Sequence, residues 1–169
     1  MEMDVLQGLE NFDQVWMRVR GEPAPAARAS GSVPEAAGDE VSTLLCQRMD
    51  VKCAQAKFYA AAAKQSSPAV GHVLLCLAEE ERRHLRSLQL EYFLRTGRCH
   101  RPVPACSRRD SPLQNLRMAW LGEREAAAQF RKDAQSCPTD MRETLLHIAA
   151  EDEAHAARLR ALLKSAIVG

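Results

Sequence analysis

Two stretches of this chain carry the same chemistry at the same spacing: Ala78-x-x-Glu81-x-x-His84 and Ala149-x-x-Asp152-x-x-His155. An acid and an imidazole three residues apart on a helix share one face, about 60° apart around the axis. Two such helices packed together turn two carboxylates and two imidazoles towards one interior point. That is half of a site for two metal ions. Mixed carboxylate and imidazole donors suit iron, manganese or zinc, and inward acids in an all-helical frame favour iron or manganese. The second motif follows the first by 71 residues (155 − 84 = 71).

The same offset aligns more than the motifs. It sets Tyr59 against Phe130, Ala63 against Ala134, Leu74-Leu75 against Leu145-Leu146, and Leu88 against Leu159. Residues 42–96 and 113–166 therefore look like two copies of one helix–turn–helix unit, and such a repeat constrains a fold more than an isolated motif does. It also exposes a mismatch. Glu123 is a candidate bridging acid in the third helix, but its counterpart in the first is Lys52 (123 − 71 = 52). Asp50 is the nearest acid, about 200° away around the helix, so it and Lys52 cannot face the same point.

A charged ammonium repels divalent cations and cannot coordinate them without losing its proton. Among Glu81, Glu123 and Asp152 it would instead neutralise part of their charge, as a metal ion would. Three states follow: two metals with the lysine behind them, one metal, or none, with a single or weakly held ion ranked above a complete pair. Glu-x-x-His alone is common on solvated helices, and Glu79-Glu80-Glu81 with Arg82-Arg83 reads equally as an outer charged face. Both motifs at one offset, with Glu123 in register, favour an inward cluster, whose buried acids need neutralising. His147 and His72 read as surface or satisfied core residues, and Tyr92 carries no role. Tyr59 reads first as core, although its hydroxyl could reach a ligand carboxylate.

Helices must position these groups. Ala and Leu dominate a chain that is 46% hydrophobic with few aromatics, which favours helix over sheet. The apolar pattern predicts a first main helix from about Glu40 to Gln65. A second starts at Ser67-Pro68 and stops at Gly97, and a third starts at Ser111-Pro112 and ends near Ser136. A fourth begins around Pro138, with Asp140 and Glu143 spaced as a capping box. Short turns make helices 1–2 and 3–4 antiparallel neighbours. The 13 residues from Arg98 to Asp110 can return along a whole helix. The expectation is an all-α, ferritin-like four-helix bundle over residues 39–169: two antiparallel hairpins joined by a long crossover. Residues 1–38 divide into a short amphipathic helix at 9–20, anchored by Trp16, and a Pro/Ala/Gly/Ser-rich linker at 21–38.

A formal charge of +1 gives no electrostatic case for nucleic acid or a membrane surface. No apolar run approaches the roughly 18 residues of a membrane span, and the acidic start lacks signal-peptide character, so a cytoplasmic location is expected. Six cysteines without a C-x-x-C pair argue against a zinc knuckle. Cys53 and Cys76 read as small core residues. Cys99 and Cys106 could pair or share a metal with His100, with reduced thiols expected in a cytoplasm. No nucleophile elbow or phosphate loop is present.

On the residues Ala78 to His84 and Ala149 to His155, with Glu123 to Phe130 and Lys52 to Tyr59, the chain resembles the rubrerythrin and ferritin-like family over about residues 40–166. The resemblance implies a dinuclear iron site reacting with peroxide or dioxygen, its metal ligands being Glu81, His84, Glu123, Asp152 and His155. The chain departs by Lys52 for a Glu and by Asp152 for a Glu, and it lacks a rubredoxin module. Electrons would therefore come from a separate donor protein. The resemblance also implies that the bundle could form a homodimer. The competing expectation is a metal-free or single-metal structural or partner-binding bundle in which Lys52 replaces a metal's charge.

Overall fold

The Ser-Pro pairs start helices, as their chemistry predicts. The computed structural model describes residues 35–103 and 111–168, and within these the chain is helical, with no strand. Helix α1 spans Glu35–Ala63, α2 Pro68–Thr96, α3 Pro112–Ser136 and α4 Thr139–Val168. Ser67 and Ser111 are extended residues just ahead of a proline at the first helical position. At α3 the capping is reciprocal: Ser111 Oγ accepts from the Gln114 amide at 3.4 Å, and Gln114 Oε1 accepts from the Ser111 amide at 3.3 Å. Helix α2 ends where Gly97 turns left-handed (φ 63°) and donates its N–H to the Phe93 carbonyl at 2.8 Å.

Two boundaries differ from expectation. Helix α1 begins at Glu35, five residues before Glu40 (40 − 35 = 5), because Glu35-Ala36-Ala37 are good helix formers that extend the first turn into the reputed linker. Helix α4 begins at Thr139, with the Met141 amide already bonded to the Pro138 carbonyl at 3.1 Å. Asp140 therefore lies inside the first turn, where it accepts from Arg95 at 2.8 Å, and does not serve as the cap of a box with Glu143. The N-terminal helix at 9–20 and most of the linker lie outside the described residues.

The described residues from Ala36 onward form one compact unit. Its core is two apolar clusters, and their membership gives the topology. One joins Leu45 and Met49 from early α1, Leu88 from late α2, Phe130 and Ala134 from late α3, and Met141 and Leu145 from early α4. The other joins Tyr59 and Ala62 from late α1, Leu74 and Leu77 from early α2, Leu116 and Ala119 from early α3, and Leu159 from late α4. So α1 and α2 run antiparallel, α3 and α4 likewise, and the crossover after α2 must traverse the bundle's length before α3 begins. It is tied to α1 where the Val103 amide donates to Asp50 Oδ1 at 2.9 Å and His100 Nε2 lies 2.9 Å from the same oxygen. The 71-residue repeat exchanges the clusters: Leu45 maps to Leu116, Leu74 to Leu145, Leu77 to Ile148 and Leu88 to Leu159.

Two helical glycines make opposite demands. A Cβ on Gly71 would lie 3.0 Å from the Ala63 backbone oxygen, so α2 passes closely over the end of α1 there. A Cβ on Gly122 would meet nothing within 4 Å. In urea unfolding, Gly71→Val should cost about 1–3 kcal/mol by overpacking. Gly122→Ala should instead gain up to about 1 kcal/mol.

Candidate metal centre

Between the two apolar clusters lies a layer of six buried ionisable side chains: Lys52, Glu81, His84, Glu123, Asp152 and His155, none more than 2% exposed. Helical geometry explains the layer. Glu81 and His84 share one face of α2, Asp152 and His155 the matching face of α4, and Lys52 and Glu123 occupy equivalent levels of α1 and α3. Unpaired, several such charges could not be buried. Each has partners.

The Lys52 ammonium sits 2.6 and 2.7 Å from the two Asp152 carboxylate oxygens and 2.9 Å from Glu81 Oε2. The Phe130 ring faces it, centroid 5.2 Å away. Burial alone would lower the lysine's pKa, but Glu81, Asp152 and Glu123 together outweigh burial and raise it, so it remains a cation. Burial alone would likewise raise Glu81, yet Lys52 and hydrogen bonds from both histidines hold it well below the usual carboxylate range. Asp152 goes the other way. Burial, reinforced by the charges of Glu81 and Glu123, pushes it up to about 7 despite the ammonium beside it.

The two halves of the layer differ. In one, His84 Nδ1 faces Glu81 Oε2 at 3.4 Å and Asp152 Oδ1 at 3.5 Å, the same two oxygens on which Lys52 is seated. In the other, His155 Nδ1 lies 2.9 Å from Glu81 Oε1 and 3.5 Å from Glu123 Oε2. Ligand atoms of Glu81, Glu123, Asp152 and His155 all fall within 4.8 Å of one another, a grouping that could hold one metal ion. Glu123 fits that role in detail. The Tyr59 hydroxyl donates to its Oε1, whereas Oε2 is buried without a hydrogen-bond partner. Three carboxylates and one imidazole form a donor set for iron, manganese or zinc. Of the five ligands named from the sequence, four converge there. His84 belongs to the same layer but shares its half with the lysine.

Sequence reasoning missed the groups that orient the imidazoles. His84 Nε2 lies 2.6 Å from Glu151 on α4, and His155 Nε2 lies 2.9 Å from Glu80 on α2. Each imidazole is thus held by the acid preceding the inward acid of the other motif, and Arg158 pairs with Glu80 behind it. The two rings stack at 5.5 Å, 19° from parallel. A partner fixing the far nitrogen sets which ring nitrogen faces a metal. A signal existed: Glu80 and Glu151 are themselves 71 residues apart (151 − 80 = 71). The outer-face reading of Glu79-Glu80-Glu81 holds for Glu79 alone, which pairs with Arg82 and Arg86.

Other sites fall where their spacing put them, or plainly elsewhere. His147 is exposed, and His72 lies on the surface 3.8 Å from Cys76 Sγ. Cys76 is therefore not the core residue expected, and Cys53 is half-buried; among the described residues Cys137 is the buried thiol. Cys99 is a free, exposed thiol, and Cys106 lies outside the described residues. Tyr59 supplies the carboxylate hydrogen bond that its stripe position allowed.

No family model matches the chain, and no curated protein does. Two solved structures share its fold. A hypothetical protein from Pyrococcus furiosus, Pfu-1136390-001, superposes with a TM-score of 0.66 at 19% identity, over 77% of this chain and 92% of that one. A conserved hypothetical protein from Mycobacterium tuberculosis, rv2844, superposes with a TM-score of 0.63 at 19% identity, over 77% of this chain and 93% of that one. At such identity the likeness concerns the arrangement of helices alone.

The clasp around Lys52 has measurable consequences. In chelator, Lys52→Met should destabilise the chain by about 3–5 kcal/mol in denaturant, because Glu81 and Asp152 lose their cation while still buried. pH should act through His155. Burial alone would lower its pKa, but the carboxylates of Glu123 and Glu81 beside Nδ1 raise it to about 9. The folded chain thus holds this proton more tightly than the unfolded one. The resulting stability is fully present below about pH 6.5 and is lost as pH rises through about 9. Asp152, raised from 3.8 to about 7, acts with the same sign in its own lower window. The melting temperature of metal-free protein should fall from about pH 6 to about pH 9, and His155→Gln should flatten the upper part of that fall. A profile rising over this range would contradict the assignment.

Proposed function

We propose that this chain holds a single divalent ion, iron or manganese, through Glu81, Glu123, Asp152 and His155, and serves as a rubrerythrin-like oxidoreductase acting on peroxide or dioxygen. One observation carries the single-ion part: the Lys52 ammonium is seated on the two carboxylate oxygens that His84 faces, so that half already holds a cation, while in the opposite half Glu123 Oε2 accepts no hydrogen bond and lies 3.5 Å from His155 Nδ1. Charge count agrees. Lys52 and one divalent ion supply three positive charges against the three carboxylates of Glu81, Glu123 and Asp152.

A bound redox-active ion would supply electron transfer to the oxidant. The protein's own groups do the rest. Glu80 and Arg158 fix the His155 ring, and Tyr59 holds one Glu123 oxygen so that the other is presented inward. The apolar clusters above and below keep water out of the layer. The paired motifs, the helix order and the long crossover support the family analogy for the reaction, and electrons would come from a separate donor protein.

A second reading has its own support. Without metal, Lys52 and the raised His155 already offset most of the carboxylate charge, so the bundle can stand as a metal-free structural or partner-binding protein. Anaerobic reconstitution with ferrous iron separates the two. We expect one ion per chain and a change in absorbance when oxygen is admitted. A chain that takes up no metal leaves only the structural reading. His155→Ala should remove most of the bound metal, His84→Ala less, and His147→Ala none. Lys52→Glu should raise the stoichiometry towards two ions, and no increase in a folded variant would place the lysine outside the metal's territory.

A further inference from the structure

Each proposed ligand is at most 1% exposed, so an ion needs a way in. The apolar clusters close the layer at both ends of the bundle. Between α2 and α4 the stacked imidazoles and their Glu80 and Glu151 partners close a third side. Between α3 and α4 there is a groove, but Arg124, Arg131 and Arg160 line it against a single acid, Glu153, which Arg131 already pairs, and the excess is the wrong charge for a cation. The side between α1 and α3 differs. A cleft of about 480 Å³ lies between α1 and α3, with Gln55, Gly122, Glu125 and Phe130 among its walls.

We propose that this α1–α3 cleft is the entry path of the divalent cation, and that Gln55 is the residue that hands it to Glu123. The inference rests on the single-ion reading above. Gln55 lines the cleft and also donates its amide to Glu123 Oε1 at 3.3 Å, so one side chain separates the cleft from the carboxylate. Its carbonyl oxygen is shielded and has no hydrogen-bond partner, as has Glu123 Oε2 beyond it. Two oxygens in sequence that accept no hydrogen bond, an amide and then a carboxylate, are hard donors suited to a divalent cation in transit.

The mouth has the matching sign. Arg48 on the wall is neutralised by Asp133, with Nε at 2.5 Å from Oδ2, whereas the exposed Glu125 has no ion pair among the described residues. Gly122 keeps the cleft open. Glycine inside a helix costs about 1 kcal/mol relative to alanine, yet a Cβ here would meet nothing within 4 Å, so packing does not call for it. What it does is leave space in the cleft wall next to Glu123.

Cobalt(II) uptake by the metal-free full-length chain, followed by its visible absorbance after rapid mixing, tests the route. Gly122→Leu should slow uptake severalfold and leave the final stoichiometry unchanged, because it fills the cleft without touching a ligand. Glu125→Lys should slow uptake at low ionic strength on the order of tenfold, with the effect fading in salt. Ala128→Leu, in the arginine-lined groove, should change nothing. Wild-type rates in both cleft variants, or slowing only in Ala128→Leu, would overturn the route while leaving the metal site standing. A wild-type chain that never acquires cobalt would overturn the metal reading and the route with it. If Gly122→Leu fails to fold, Glu125→Lys and its salt dependence still decide.

Discussion

The bundle is organised around one buried cation, the Lys52 ammonium held between Glu81 and Asp152. Moving charges from water into a dry layer costs several kcal/mol per ion even after relaxation, and only close pairing offsets it. The layer cannot be loosened piecemeal, since three carboxylates and two imidazoles share overlapping partners. It also divides the apolar interior in two, so the helices are registered by polar contacts as well as by packing. A one-turn slip of α1 would carry Lys52 into one of the apolar clusters and leave Glu81 and Asp152 without a cation. The register of α1 is therefore specified more sharply than leucine packing alone would specify it.

The internal two-fold shows how a lysine is accommodated where a repeat would place an acid. Tyr59 and Phe130 are equivalent positions, and each faces the head group carried by the other helix. Tyr59 on α1 gives a hydroxyl to the Glu123 carboxylate of α3, and Phe130 on α3 gives a ring face to the Lys52 ammonium of α1. A hydroxyl donor suits an anion and a π-face suits a cation. Phenylalanine also avoids placing a phenol O–H beside an ammonium that has no lone pair to accept its proton. Both halves of the repeat depart from symmetry together, in head group and in cover, whereas the histidine latches from Glu80 and Glu151 stay symmetric. Apart from the shorter Asp152 opposite Glu81, the asymmetry lies on the side of the layer facing α1 and α3.

Much of this was legible from spacing. The 71-residue offset located both hairpins, the inward acids and imidazoles, and the misfit at Lys52, because a helix converts sequence separation directly into direction. Ser-Pro and Gly97 marked three helix ends for local steric reasons. The rest depended on what lies opposite. Whether Lys52 stands behind a metal or in its place depends on distances to α2 and α4 that no single helix encodes. The exposure of Cys76 follows from how far α2 is rotated about its axis, and the early start of α1 from propensities too even to mark an edge. Gln55 attracted no notice because an amide on a helix has no spacing signature; only its place between the cleft and Glu123 gives it significance.

On the single-ion reading, the charge balance restricts what the layer can do. Lys52 with one divalent ion offsets three carboxylates, and Lys52 cannot adjust, since its neighbours keep it protonated. Losing an electron from the ion would leave one surplus positive charge in a medium where unbalanced charge is costly. Oxidation must then be coupled to loss of a proton or entry of an anion. Tyr59 is a poor source of that proton, because burial and the adjacent Glu123 push its pKa well above 10. A small anion entering from outside would supply the compensation without any proton leaving the layer. Of the two openings, the arginine-lined groove between α3 and α4 has the sign for such an anion and the α1–α3 cleft the sign for the cation, so the ion and its compensating charge would enter by different sides.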